Sequence, residues 1–186
     1  LQETHLPKDD PVLRSRMRKV LTEGEWSGWR LMESPAEAGD DYAGVLIWYD
    51  AAKVEMTDER ELAPGRVQSA RMRVMADGTE ALLVNAYVPV RKSAPSAADL
   101  VRLENTREVL QQEAERAEEE GLEFLAGGDL QAQTAQALAQ WGQASGNEYD
   151  AWLEKWTSHQ NIASLGEVDT TYSAGVGGAQ TAIDHW

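Results

Sequence analysis

The chain has 186 residues, 42% of them hydrophobic, with 17 Lys and Arg against 32 Asp and Glu for a formal charge of −15. That length suits one domain with a sizeable core, and the acidic balance argues against a broad electrostatic footprint on nucleic acid. Cysteine is absent, which excludes disulfides, thiolate metal sites and cysteine nucleophiles and fits a reducing setting, intracellular rather than secreted.

Residues 1–6 (Leu-Gln-Glu-Thr-His-Leu) read as the tail of a strand entering a loop, with Glu3 at the turning point. Asp10 followed by Pro11 predicts a helix N-cap and first helical residue, and Leu13, Met17, Val20 and Leu21 share one face. The spacing therefore predicts an amphipathic helix that covers a sheet and stops at Gly24. Residues 26–32 suit a short strand, 33–41 a polar loop, and 43–49 a central strand that is apolar on both faces. Between 67 and 75 the side chains alternate, Asp77-Gly78 marks a hairpin turn, and 80–88 form the next strand, which delivers Asn85 and Tyr87 before Pro89.

A long helix is predicted from 98 to about 120, ended by Gly121, with the acids between Glu113 and Glu120 as a solvated face. Residues 122–126 form a strand that stops at Gly127-Gly128-Asp129, where the glycines let the backbone turn and lift Asp129 from the sheet edge. Helical patterns follow at 131–141 and 147–156, and two strand edges flank the glycine loop of Gly175, Gly177 and Gly178. Basic residues cluster at Arg14, Arg16, Arg18 and Lys19 and again at Arg66, Arg71 and Arg73, where a polyanion could be met locally.

Four predicted strand ends thus carry Glu3, Tyr87, Asp129 and Asp184. Carboxylates converging with a phenol suit hydrolysis of a phosphodiester: hard oxygen ligands hold Mg²⁺, the metal neutralises phosphate charge, and a carboxylate orients or deprotonates the attacking water. The sequence has no Gly-x-Ser-x-Gly elbow, no phosphate-binding loop with Lys and no dinucleotide fingerprint, and His5, His159 and His185 lack zinc-ligand spacing.

The ordered set of residues 1–6, Asn-Ala-Tyr-Val-Pro (85–89), Gly-Gly-Asp-Leu-Gln (127–131), Thr-Tyr-Ser (171–173) and Ile-Asp-His (183–185) resembles the endonuclease/exonuclease/phosphatase superfamily. Within it, the likeness is to endonuclease domains of non-LTR retrotransposons and to apurinic endonucleases. The resemblance implies a four-layer α/β sandwich of two mixed sheets packed face to face with helices outside, spanning residues 1–186 as a single domain. It implies a Mg (or Mn) ion held by Glu3, a phosphate-contacting Tyr87, a water-positioning Asp129, an orienting Asp184 and a phosphate contact from Ser173. The family has Asn where Gln131 stands, and one added methylene moves the amide by about an ångström, enough to lower a rate by up to ~10²-fold. The family's first strand and its Ser-Asp-His element would fall outside 1–186, so the copy is expected to be truncated at both ends, and fusion to a reverse-transcriptase domain is possible beyond them. DNA is the implied substrate; a degenerate member kept for binding, or a small-molecule or lipid phosphoesterase, are the alternatives.

Overall fold

The computed structural model describes residues 8–36, 43–89, 94–132 and 147–159, together with the backbone of 172–173, 180–181 and 184–185. Helix α1 (Pro11–Thr22) leads through a short 3₁₀ turn (Gly24–Trp26) into an antiparallel pair, β1 (Trp29–Ser34) and β2 (Val45–Asp50). Five further strands form one mixed sheet in the order β3-β4-β5-β6-β9: β3 (Val54–Ala63), β4 (Val67–Val74), β5 (Glu80–Tyr87), β6 (Glu123–Asp129) and β9 (Asp184–His185). Strands β5 and β6 run parallel, joined by helix α2 (Ala97–Glu120), while the other neighbours are antiparallel. Helix α3 (Glu148–His159) follows, and β7 (Tyr172–Ser173) pairs with β8 (Gln180–Thr181).

Two apolar clusters set the layers. Between the β1–β2 pair and the larger sheet lie Met32, Ile47 and Ala70, with Tyr49, Met56 and Leu83 against them. On the opposite face of the large sheet, Val84, Ala86 and Val88 pack against Leu110 and Ala114 of α2 and Leu153 and Trp156 of α3. With α1 outside β1, the order is helix, sheet, sheet, helices, which is the sandwich that the resemblance implies.

Helix α2 matches its sequence signals closely. Ser96 and Asp99 form a reciprocal capping box, and Gly121 closes the helix in the left-handed conformation (φ 65°). The 67–75 strand, the Asp-Gly hairpin, the 80–88 strand and the helix at 147–156 are likewise present with ends moved by a few residues. Of the helical reading of 131–141, residues 131 and 132 are not helical, Gln131 having a φ of 52°, and 133–141 lie outside the described residues.

Four expectations are corrected, and strand β3 enters where the sequence reading assigns no element. Strand β1 runs on through Glu33 and Ser34, which the sequence assigns to a loop, because Glu33 is drawn inward by arginines and Ser34 Oγ donates to Glu61 Oε1 at 2.6 Å. Strand β3 carries so many charges that no apolar period betrays it, yet it pairs with β4 along most of its length as the sheet's edge. The Met17 face of α1 does not bury itself: no residue of α1 is buried, and Val20 is 70% exposed. Glu113 leaves the solvated acidic face and is buried, held by Arg60 at 2.9 Å and by Arg116. Strand β6 does not end before the glycines; Gly127, Gly128 and Asp129 all belong to it.

Charge fastens α1, beside a hydrogen bond from Trp48 Nε1 of β2 to Leu21 O at 2.9 Å. Glu33 Oε1 accepts from Arg14 Nε at 3.0 Å, Arg14 Nη2 at 2.5 Å and Arg18 Nη2 at 2.6 Å, with only 6% of the Glu33 side chain exposed. Burial pushes this carboxyl up, but the hydrogen bonds from Arg18 and Arg14 and their charges outweigh it, so it sits below the usual carboxylate range. A depressed acid stabilises the fold above its unfolded value, and that stability is lost as pH falls through the folded one. Thermal melts between about pH 7 and about pH 3 should therefore show Glu33→Gln melting lower than the parent at neutral pH and converging with it in acid. A constant gap across that range would show that the carboxylate is not the fastening group.

Candidate active site

The site candidates meet where β5, β6 and β9 end side by side. Parallel pairing places Tyr87 opposite Asp129, and antiparallel pairing places Asp184 opposite Asp129. Register partners share a face of the sheet, so three sequence-predicted residues fall on adjacent strands at one end and on one side. That side is the one facing the β1–β2 pair, since Asn85, two residues before Tyr87, donates from Nδ2 to Leu46 O at 3.1 Å. Asp184 and Ser173 are placed by backbone alone, and Ser173 falls in the separate β7–β8 pair. Glu3 lies outside the described residues. His185 stands opposite Gly128 and so on the other face from Asp184.

Gly128 is the reason two strands come this close. Its φ of 130° is open to glycine, and a Cβ there would lie 2.0 Å from the Ala86 carbonyl oxygen of the neighbouring strand. The ladder continues past it, with Val88 N donating to Asp129 O at 2.8 Å. The glycine therefore does not turn the chain; it lets β6 press against β5 so that Asp129 arrives beside Tyr87.

The turn comes two residues later, at Gln131, which adopts a left-handed φ of 52°. For a residue other than glycine this conformation is strained by roughly 1–2 kcal/mol. Its consequence is local and specific: Gln131 N donates to Asp129 Oδ1 at 2.9 Å, and Gln131 Nε2 donates to Asp129 Oδ2 at 2.6 Å. Both oxygens of a carboxylate that is only 4% exposed are thus engaged by one residue. The longer side chain at the family's Asn position uses its length to fold back onto the carboxylate.

Two further polar residues stand on this face that the sequence reading leaves out of the site. Arg66, at the turn before β4, is 8% exposed and lays its guanidinium over the Tyr87 ring, 4.6 Å from Cζ to centroid. Gln68, opposite Asn85 in the β4–β5 register, is fully buried, and neither end of its amide has a hydrogen-bond partner among the described residues. A buried amide in that condition costs roughly 1–3 kcal/mol, and an ordered water bridging it would recover most of this. Arg66 had a signal in sequence, a Pro-Gly turn ahead of an alternating strand, but its pairing with Tyr87 depends on the hairpin register. Among the described residues no three acids or histidines converge to hold a metal ion, so a metal would need ligands from outside them.

No family model matches the sequence, and no curated protein matches it. Solved structures do. The AP endonuclease of Leishmania major is 17% identical with a TM-score of 0.69, covering 100% of this chain and 67% of that one. The endonuclease domain of TRAS1, a telomere-specific non-LTR retrotransposon, is 19% identical with a TM-score of 0.53, covering 85% of this chain and 65% of that one. An endonuclease/exonuclease/phosphatase family protein from Bacteroides thetaiotaomicron is 14% identical with a TM-score of 0.51, covering 76% and 50% respectively. The chain has the endonuclease/exonuclease/phosphatase fold, and it spans two thirds of the first of these structures and less of the other two.

Proposed function

We propose that this chain, built on the endonuclease/exonuclease/phosphatase fold, is a Mg²⁺-dependent phosphodiesterase domain that acts on DNA in the manner of a retroelement endonuclease. The observation that supports this most is the alignment of Tyr87, Asp129 and the Asp184 position across three adjacent strand ends. In this reading Tyr87 donates a hydrogen bond to the scissile phosphate, and Asp129, steadied by Gln131, orients the attacking water. Asp184 would orient the catalytic histidine of the family, and Ser173 would contact phosphate. Glu3 would hold the metal, which when bound supplies charge neutralisation on the phosphate. What the protein's own residues contribute is positioning and fixed dipoles, the terms from which such sites draw most of their rate.

The proposal is tested by incubating the purified chain with supercoiled plasmid in Mg²⁺ and following the relaxed form. Nicking that stops when the metal is chelated is expected; an intact plasmid at every Mg²⁺ concentration would count against a catalytic role. A second reading, a copy that keeps the fold and a binding role without cleavage, is favoured by one observation, the occupation of both Asp129 oxygens by Gln131. Calorimetric titration with Mg²⁺ separates the two, because the catalytic reading expects binding that disappears in Glu3→Gln.

A further inference from the structure

We infer that Arg66 is a positioning residue for Tyr87, acting on the reaction through that ring; the inference rests on the phosphodiesterase reading above. The backbone fixes the pair first. Arg66 N donates to Ala63 O at 2.8 Å, and Arg66 O accepts from Tyr87 N at 2.7 Å, one step beyond the Val67–Ala86 pair of the β4–β5 ladder. Gly65, at φ 67°, holds the turn where a Cβ would come within 3.0 Å of Pro35 O and 3.2 Å of Ala43 Cβ. The turn thus has little freedom to move relative to either sheet.

The side chains then stack. The guanidinium covers the Tyr87 ring at 4.6 Å, and both residues are buried, Tyr87 completely. Cation–π contacts are strongest when desolvated, as this one is, and they hold the ring in one attitude. A lid over a tyrosine ring needs only apolar area, and Met would supply it without the expense of desolvating a charge. A guanidinium adds what Met cannot, a flat surface that fixes the ring plane and a positive charge at the strand end where phosphate charge would grow.

The test is a double-mutant cycle on single-turnover DNA cleavage, using the parent chain, Arg66→Met, Tyr87→Phe and the double variant. Arg66→Met is expected to lower the cleavage rate by roughly 10²-fold, the scale of a misplaced catalytic group. KM should stay within about twofold, because an interaction realised only in the transition state leaves it unchanged. In the Tyr87→Phe background the same change should produce no further loss, since the hydroxyl it positions is gone. Arg66→Lys, which keeps charge and stem without the flat fork, replaces Arg66→Met should that variant fail to fold, and the same coupling is expected. A loss equally large in both backgrounds, or one confined to KM, overturns the inference while leaving the function standing. If the parent chain cleaves no DNA, the functional reading falls and this inference falls with it.

Discussion

Replacing Asp129 with Asn should lower DNA cleavage by about 10²–10⁴-fold while leaving the fold intact, the range that a positioned acid or base contributes. The substitution is isosteric. Oδ1 still accepts from Gln131 N, whereas Oδ2 becomes an amide nitrogen facing Gln131 Nε2, now two donors where a 2.6 Å hydrogen bond stood. A flip of the Gln131 amide presents its oxygen instead and restores the contact. At the Gln131 contact the change is from a charge-assisted to a neutral hydrogen bond, about 1–2 kcal/mol. Single-turnover cleavage read beside a thermal melt checks both halves: a folded variant with an unchanged rate would remove Asp129 from the site.

The largest expected effect on stability belongs to Gly128→Ala. An added Cβ would meet the Ala86 carbonyl at 2.0 Å, and its backbone carbon and nitrogen at 2.9 Å and 3.0 Å, all parts of a paired strand that cannot step aside. Overpacking of about 1–3 kcal/mol adds to strain of about 1–3 kcal/mol at φ 130°, for a combined loss of about 2–6 kcal/mol. Against the 5–15 kcal/mol typical of a domain, that is a large share, and urea denaturation should show it as a midpoint shift. Gly78→Ala is the comparison: its φ is 76° but a Cβ there would touch nothing within 4 Å, so only the backbone strain of about 1 kcal/mol remains. Equal midpoints for the two alanine variants would mean that β6 does not depend on this close approach.

The contrast between these residues shows what a sequence makes legible. Gly121 and Ser96 announce the ends of α2 because capping is local chemistry between residues a few positions apart. The alternation in β4 and the Asp-Gly hairpin are readable for the same reason. Strand β3 is not, since an edge strand need bury little, and its charged run has no period to detect. Glu33 and Glu113 look like solvated acids until arginines 15 to 53 residues away in sequence close on them. At the site, resemblance names Tyr87 and Asp129, and strand register brings them together. The role of Gly128 needed the spacing of two backbones, and the fold-back of Gln131 needed a left-handed φ that no composition suggests.

The claim at the centre of this account is that the ends of β5 and β6 form a phosphodiester-cleaving edge. Its most direct measurement is single-turnover cleavage of an end-labelled DNA duplex by the parent chain and by Asp129→Asn, each with Mg²⁺ and with chelator. The account predicts Mg²⁺-dependent product from the parent chain and at least a ~10²-fold slower reaction from Asp129→Asn. Product that forms equally fast in both, or in neither, would contradict it.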